Sequence, residues 1–502
     1  MVSVETAPLP EGSAGSCLAE EAKTVGWKAS AIAGDIATLG AGTALAAAFN
    51  TLLVFLIPRV MRVEDFGYWR LFMLYAGYAG LLQMGFLDGV LLRWAGRPLE
   101  AFHPEVRLSL EFLFWQQAAL VVPASAIAWW TLRTDARFIG LAVLAYALLF
   151  NVNALLQYSL QAARQFKPVA FAAAVPAGAF VLLTFAWNLR GAPSFRVLIA
   201  FYCVGWAGAL LYLWTRVRPL QSSPGWVSAW SFGKMCMLLG WPVVLANVGL
   251  GVVQSADRLV VSSALPIYEF AQYSLASSAM FVPVTAIAAV YRVFFPHVAA
   301  MEHEGRAKIY AHASSFLLLA WSLLLPYFFV LKVLIQRFLP RYLMALSAAG
   351  VLLLGVFFLA EIQILHMSFA YLYGRQRRFL LLTVGALLVS LTVGFVTAIW
   401  LRSLVAVAVG QVGALALWWL ANEWSFRETT GHGWRDRLRP LAAFAWSAIS
   451  YGVTIRYIEN VGARIIVYYA LVVGCLVLTC YPEIKIVIKL LYRALPQSAT
   501  CL

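Results

Sequence analysis

Charged side chains are scarce in this chain. Only 12% of its 502 residues are Asp, Glu, Lys or Arg, whereas 63% are hydrophobic, and the mean hydropathy is +0.81. The core of a water-soluble domain could not absorb so much apolar surface, which excludes that class. A transmembrane barrel would need short alternating segments, but the apolar runs here are long and unbroken. The composition therefore predicts an all-α polytopic membrane protein.

Several motifs that would indicate a particular chemistry are also missing. The six cysteines form no CxxC pair, so we expect them to pack as small apolar groups rather than to form disulfides or bind metal. The sequence has no P-loop, GxSxG motif or paired-Asp loop, which excludes a transport ATPase as far as this chain goes. His297, His303 and His312 do not share one helical turn. Neither a metal site nor a cofactor is predicted.

The distribution of charge indicates how the chain lies in the membrane. The net charge of +15 is spread over the loops, which favours contact with the lipid bilayer rather than binding of nucleic acid. Fourteen apolar segments lie between residues 36 and 482, judged against about 20 residues per span. With the N-terminus inside, the inner loops carry nearly twice as many Lys and Arg residues as the outer loops. Both termini are therefore predicted to be cytoplasmic.

The segments predict two pseudo-symmetric six-helix bundles followed by two additional helices. The polar first residues lack a basic start and a short apolar core, so we expect a cytoplasmic tail rather than a signal peptide. A Pro- and Ser-containing stretch after the sixth span is the candidate linker. The predicted domains are 1–34, the tail; 35–218, the N-terminal bundle; 219–233, the linker; 234–424, the C-terminal bundle; and 425–502, two helices and a cytoplasmic tail.

A polar pattern occurs twice in the chain, 204 residues apart. Two related membrane bundles in one chain are typical of secondary transporters, whose substrate path is expected between the bundles. The first copy comprises Thr43, Ala47, Asn50, Asp65-Phe66-Gly67 and Asp88, and the second comprises Asn247, Gly251, Gln254, Glu269-Phe270-Ala271 and Arg292.

Four spans, two in each half, present a polar face at helical spacing. Polar side chains in hydrocarbon usually face a partner or a wet cavity, so these residues are candidates for lining a substrate cavity. Hydrogen bonding between helices without a cavity is the alternative. Helical periodicity contributes Asn50, Gln157, Gln161, Asn247, Gln254, Arg258, Ser278, Thr285 and Arg292 to this set.

Adjacent residues on a helix point about 100° apart, so Asp257 and Arg258 are not expected to face the same neighbour. We expect Arg258 to face the cavity and Asp257 another helix; an ion pair with neighbouring helices, or a side chain that reaches the outer surface, is the alternative. Asp88 and Arg292 occupy matching repeat positions and are predicted to pair across the cytoplasmic mouth; two separate side chains that reach the membrane surface are the alternative. Asp257 and Glu361 are the further candidates for gating or for coupling to a proton or sodium gradient.

Glycine and proline residues predict that some spans bend or break. Four glycines, at positions 77, 80, 85 and 89, lie in the second span, and Pro242 and Pro283 lie in the seventh and eighth spans. Discontinuous helices of this kind often form the binding sites of transporters.

Two stretches of the sequence resemble a known family. The run Pro58–Trp69 followed by Gly80–Gly89 is similar to the opening hairpin of the polysaccharide biosynthesis and export family. The run Asp257–Val261, with Tyr268–Tyr273 and Phe295-Pro296, is similar to its seventh and eighth spans. These proteins are Wzx-type lipid-linked oligosaccharide flippases of the MOP superfamily, which also includes MATE antiporters and MurJ-type flippases.

The resemblance implies two bundles arranged as a V with alternating access to a central cavity. It implies transport of a polyprenyl-pyrophosphate-linked oligosaccharide across the bacterial inner membrane, together with a glycan polymerase or export machinery as possible partners. Anion contact is carried over to Arg258, Arg292 and Arg70. The chain lacks a dense cluster of central arginines, which argues against the MurJ type.

Two other functions remain open at this point. A MATE-like cation-coupled exporter of small organic molecules would favour a buried acid as the cation site. A membrane-embedded glycan polymerase would favour a large polar outer loop or paired catalytic residues at one interface, and the sequence has neither. The chain is therefore expected not to be an enzyme.

Overall fold

The computed structural model describes residues 49, 52–218, 226–280, 303–430 and 434–494, together with positions 283–285, 287, 290, 291, 294 and 298. Within these ranges, side chains are not described at 226, 242, 243, 245–248, 303–308, 311, 428–430, 434–439 and 478–494. All regular secondary structure in the described part of the chain is helical. The predicted all-α fold class is confirmed.

The described residues up to 218 form seven α-helices. They comprise α1 (52–60), α2 (Val63–Ala76), α3 (Phe86–Trp94), α4 (Leu99–Thr131), α5 (Thr134–Ala162), α6 (Phe166–Asn188) and α7 (Phe195–Val217).

The described part of the second half begins at residue 226. Its helices are α8 (Trp226–Val253), α9 (Ala256–Ala264), α10 (Ile267–Ser278), α11 (His303–Leu324), α12 (Tyr327–Phe338), α13 (Ala345–Ala360), α14 (Met367–Leu372), α15 (Gln376–Val396), α16 (Leu404–Thr430), α17 (Trp434–Tyr457) and α18 (Val461–Ala494).

Eight helices in the described residues are long and apolar enough to cross a membrane, and the chain is a multi-pass membrane protein. The total of fourteen spans stays a prediction. Residues 219–225 of the predicted linker lie outside the described residues, whereas 226–233 are helical and begin α8. The predicted tail at 1–34 also lies outside them. The helix that closes the predicted C-terminal bundle continues past residue 424 to Thr430.

The second span is broken, as its glycines predict. Between α2 and α3 the chain forms a short 3-10 helix, Ala79–Gln83, and then turns through Met84 and Gly85 with φ of 50° and 82°. Two successive left-handed residues interrupt the helix, and glycine adopts this conformation without steric cost. In the seventh span, α8 continues through Pro242, and the break lies at 254–255 instead.

The two halves contact each other through the broken second span. Its α2 packs against α10, and its α3 packs against α8, which also contacts α4. One hydrophobic core consists of buried residues from α3–α7 and from the start of α8. A second, larger core packs α2 against most of the helices of the second half. The break between α2 and α3 therefore lies between two contacts that join the halves.

Candidate functional site

Three cavities lie near the helix breaks, and Arg258 lines all of them. Their volumes are about 410, 330 and 200 Å³. The largest lies along the broken second span from Met73 to Asp88. The next extends towards α6 and α7, and the smallest is enclosed mainly by helices of the second half. Arg258, in the first turn of α9, thus lies where the three cavities meet.

Arg70 is the second arginine of this region, and it lines the two smaller cavities with Arg258. Its Nη2 donates a hydrogen bond to the backbone oxygen of Ser274 at 3.3 Å. Arg258 Nη2 donates to the backbone oxygen of Gln254 at 3.4 Å, and its buried Nε forms no hydrogen bond within the described chain. Two cations that face the same cavities with donors to spare favour an anionic ligand.

The Asp257 carboxylate forms its hydrogen bonds within its own half of the chain. Its Oδ2 accepts a hydrogen bond from the Tyr273 hydroxyl at 2.8 Å, and its Oδ1 accepts one from the backbone N–H of Arg258 at 2.8 Å. The side chain is only 4% exposed, although its residue lines the smallest cavity. The structure thus directs Asp257 and Arg258 to different neighbours, because they lie on different faces of α9.

A hydrogen bond joins the two helix breaks across the halves. The hydroxyl oxygens of Tyr78 and Ser255 are 2.5 Å apart. Ser255 Oγ also donates to the backbone oxygen of Gly251 at 2.7 Å. Because a serine hydroxyl has one proton, Tyr78 is the donor of the bond between the halves. Both residues line the largest cavity.

Amide side chains satisfy the carbonyl groups that the break leaves open. A broken helix in an apolar surrounding exposes backbone oxygens that water cannot reach, so side chains must supply the donors. Three amides on α4 and α5 do so. The side-chain amide nitrogens donate to backbone oxygens: Asn151 to that of Ala79 at 3.2 Å, Gln117 to that of Leu82 at 3.2 Å and Gln116 to that of Gln83 at 3.3 Å.

Asp88 takes part in the same network of hydrogen bonds around the break. Its Oδ2 accepts a hydrogen bond from Gln83 Nε2 at 3.1 Å, and Gln83 Oε1 accepts one from the backbone N–H of Leu87 at 2.8 Å. Asp88 also lines the largest cavity. The other member of the predicted gate pair, Arg292, lies outside the described residues.

Aromatic side chains form the wall of the second cavity on the side of the first half. The ring of Trp69 stacks on Phe180 with centroids 5.0 Å apart, and Tyr202 meets Trp69 edge to face at 5.6 Å. Trp206 continues this wall next to Tyr202. Such faces pack well against the apolar faces of sugar rings.

Glycines bring the backbones of the two halves together at both contacts. A Cβ on Gly89 would lie 1.8 Å from the backbone oxygen of Cys236, and one on Gly240 would lie 2.0 Å from the backbone oxygen of Gly85. At the other contact, a Cβ on Gly67 would lie 2.7 Å from the backbone oxygen of Ile267. The cavities lie between these two close approaches.

A separate polar cluster lies within the second half. Glu361 and His366 occupy a π-helical segment, Glu361–His366, between α13 and α14. His366 Nε2 lies 3.1 Å from Glu423 Oε1, and that same oxygen accepts a hydrogen bond from the Tyr310 hydroxyl at 2.9 Å. One ligand atom from each of Glu361, His366 and Glu423 lies within 4.8 Å of the other two. Sequence reasoning named Glu361 but missed Glu423.

The remaining predicted cavity residues are placed as follows. Ser278 lines the two smaller cavities, and Gln254 lines the smallest. Gln157 and Gln161 are half-buried on α5 and do not line any of the three, because the wall on this side belongs to α6, α7 and the broken span. Thr285 is exposed. Asn50 and the side chain of Asn247 lie outside the described residues.

Sequence comparisons give no relative for this chain. No protein-family profile matches it. No curated protein matches it either.

Structure comparisons show the fold. The chain is similar to the lipid II flippase MurJ in an inward closed conformation, with a TM-score of 0.68 and 12% identity over 89% of this chain and 99% of MurJ. It is also similar to an inward-facing MATE family multidrug resistance transporter of the MOP superfamily, with a TM-score of 0.58 and 14% identity over 78% and 95%. An outward-facing MATE transporter matches with a TM-score of 0.52 and 13% identity over 79% and 95%. The chain therefore folds like MOP-superfamily transporters.

Proposed function

We propose that this chain is a flippase, not an enzyme, that moves a polyprenyl-pyrophosphate-linked oligosaccharide by alternating access. It carries the glycan from the cytoplasmic to the outer leaflet of the bacterial inner membrane for exopolysaccharide or O-antigen export. The observation that carries this proposal is the position of Arg258, which lines three cavities near the contacts between the halves and shares two of them with Arg70.

The side chains that line the cavities suit both the pyrophosphate and the sugar of such a substrate. Guanidinium groups bind phosphate oxygens through paired donors, and Arg258 retains a buried Nε donor for this purpose. The half-buried rings of Tyr202 and Trp206 line the second cavity and offer apolar surface to a sugar, and hydroxyl groups such as that of Ser278 can replace the water bound to the sugar. A diphosphate with its glycan cannot cross hydrocarbon without replacement of this hydration.

The two contacts between the halves supply the gates. The cavities lie between the approach of Gly67 to Ile267 and the approach of Gly89 to Cys236. A transporter that opens one contact while the other stays closed exposes the same cavity to each side in turn. The break between α2 and α3 permits each end of the second span to move without the other. We include in this proposal that Asp257 couples transport of the glycan to a proton or sodium gradient.

The test follows lipid-linked oligosaccharides in a deletion strain that carries wild-type or variant genes. Wild type should clear completed units from the cytoplasmic leaflet, measured by their accessibility to a glycan-modifying reagent in the periplasm. A charged hydrogen bond is worth about 1.5–3 kcal/mol, so Arg258→Ala should slow this step roughly 10- to 100-fold. Arg196→Ala is the matched control, because Arg196 pairs with Asp135 on the surface.

Other outcomes would contradict the proposal. Unchanged lipid-linked intermediates in the deletion strain would exclude flipping of this substrate. Single units that already face outward would indicate a membrane-embedded glycan polymerase instead. Equal loss of transport in the Arg258→Ala and Arg196→Ala strains, at equal protein levels, would remove the assigned role of Arg258.

One observation favours a second candidate, a MATE-like cation-coupled exporter of small organic molecules. Asp257 is a buried carboxylate that borders the smallest cavity, where a coupling cation would be held. If this candidate is right, the deletion strain becomes sensitive to organic cations while its lipid-linked oligosaccharides stay normal. Asp257→Asn would then abolish resistance at unchanged protein level.

A further inference from the structure

We propose that Glu361, His366 and Glu423 form a buried binding site for Zn²⁺ in the second half of the chain. The site is separate from the three cavities, none of which these residues line. Glu361 and His366 are 0% exposed and Glu423 is 8% exposed. One carboxylate oxygen from each glutamate and one imidazole nitrogen lie within 4.8 Å of one another. This inference does not depend on the proposed function.

The π-helical segment is what brings two of these ligands to one face. In an α-helix, residues five apart point about 140° away from each other. In a π-helix the backbone hydrogen bonds join residues five apart, so Glu361 and His366 lie one above the other. π-helical turns are rare and frequently occur at functional sites. An ordinary helix at this position could not present both side chains to Glu423.

The distances between the ligand atoms fit a small divalent cation. Zinc binds nitrogen and carboxylate oxygen at about 2.0–2.1 Å, which places tetrahedral ligands about 3.3 Å apart. His366 Nε2 and Glu423 Oε1 are 3.1 Å apart. One Glu361 carboxylate oxygen lies within 4.8 Å of both atoms, so a small side-chain movement would bring it to the ion, and a solvent molecule would be the fourth ligand. Imidazole with carboxylate, and without thiolate, favours Zn²⁺ over soft metals such as Cu⁺.

Hydrogen-bond donors from neighbouring helices hold the two carboxylates in place. The Tyr310 hydroxyl on α11 donates to Glu423 Oε1 at 2.9 Å, and Trp419 Nε1 on α16 approaches Glu361 Oε2 at 3.5 Å. His366 stacks on Phe426 with centroids 6.0 Å apart, which fixes the plane of its ring. Outer partners of this kind orient metal ligands in zinc proteins. A bound ion would tie the π-helical segment to α16.

The test measures zinc in the purified full-length protein, prepared without a polyhistidine tag. After removal of metal with a chelator and return of Zn²⁺ alone, elemental analysis should find one zinc per chain. Thermal unfolding in detergent should shift upward with added Zn²⁺. His366→Ala and Glu423→Gln should each remove both effects, and Tyr310→Phe should weaken zinc affinity about 10- to 100-fold. Asp257→Asn, a buried carboxylate elsewhere, should retain the zinc.

The same experiment can overturn the site. Wild-type protein without retained zinc, or zinc retained equally by the Glu423→Gln and His366→Ala variants, would show that these residues do not bind metal. X-ray absorption at the zinc edge provides a readout that does not depend on variant folding. Nitrogen and oxygen ligands alone are expected, and a sulfur ligand would assign the ion to a cysteine instead. Neither result bears on flipping of the glycan.

Discussion

The two halves of this chain bury different kinds of polar side chain. Among the described residues up to 218, every buried polar group is an amide or a hydroxyl, and no Asp, Glu, His, Lys or Arg is buried. The described second half buries Asp257, Glu361, His366, Glu423 and Arg464. The described residues of the two halves therefore differ in the charge that they bury.

The difference indicates a division of labour between the halves. Neutral amides are the less costly way to satisfy a broken helix in an apolar surrounding, and the first half uses Asn151 and Gln117 for this purpose. Buried ionisable groups are costly and are retained where they bind ions or substrate. The first half thus provides the hinge, the aromatic wall and the half-buried Arg70, and the second half provides the fully buried ionisable groups.

The largest expected effect comes from separating the halves. Gly89→Ala places a Cβ 1.8 Å from the backbone oxygen of Cys236, so α3 and α8 must move apart. We expect transport to be lost and the Cys236 thiol, which is buried, to react faster with a maleimide. The rate of labelling in the folded protein is the measurement, with Cys236→Ser as background. Gly413→Ala is the matched control, because no atom lies within 4 Å of its Cβ.

If Gly89→Ala left both transport and the labelling of Cys236 unchanged, the close approach of α3 to α8 would not be required for transport. The two halves would then have to be compared as independent bundles rather than as partners across one cavity.

The next largest effect tests the aromatic wall of the first half. Trp69→Ala removes a buried ring that stacks on Phe180 and meets Tyr202, and such truncations cost about 3–5 kcal/mol. We expect a clear fall in the unfolding temperature in detergent. Trp130→Ala, at a site 83% exposed, should change stability by less than about 0.5 kcal/mol. Similar losses in the two variants would contradict the assigned role of the wall.

A smaller effect is expected at the charged centre of the second half. Tyr273→Phe removes the hydroxyl that donates to Asp257 Oδ2 at 2.8 Å and leaves a buried carboxylate oxygen without that donor. Loss of one partner of a buried charged group costs about 1–3 kcal/mol. Thermal unfolding measures the change, and Tyr268→Phe, on the exposed side of the same helix, is the control. A Tyr273→Phe protein as stable as the control would show that Asp257 does not need this donor.

The sequence anticipates features that follow from one helix at a time. The glycines at 77, 80 and 85 lie in the break of the second span, because glycine lowers helix propensity and adopts left-handed backbone angles without steric cost. The angle of 100° between neighbours predicts that Asp257 and Arg258 face different partners, as their hydrogen bonds show. Such features depend only on local geometry.

Features that depend on partners from distant spans are not visible in the sequence. Glu423 lies 57 residues from His366, and no periodicity links them. A pattern that assumes 100° per residue also cannot reveal the π-helical segment, so it does not place Glu361 and His366 on one face. Asn151 lies outside the predicted polar face of Gln157 and Gln161, yet its side-chain amide donates to the backbone oxygen of Ala79 in the broken span.

The smallest expected effect concerns the neutral polar groups of the first half. Asn151→Leu removes the amide that donates to the Ala79 oxygen and to Gln117 Oε1, both at 3.2 Å. Hydrogen bonds between membrane helices average about 0.6 kcal/mol and reach about 1.7 kcal/mol. We therefore expect a smaller fall in unfolding temperature than for Tyr273→Phe, with transport reduced but present. A larger fall than that of Tyr273→Phe would reverse the comparison, because neutral groups would then stabilise the first half more than charged groups stabilise the second.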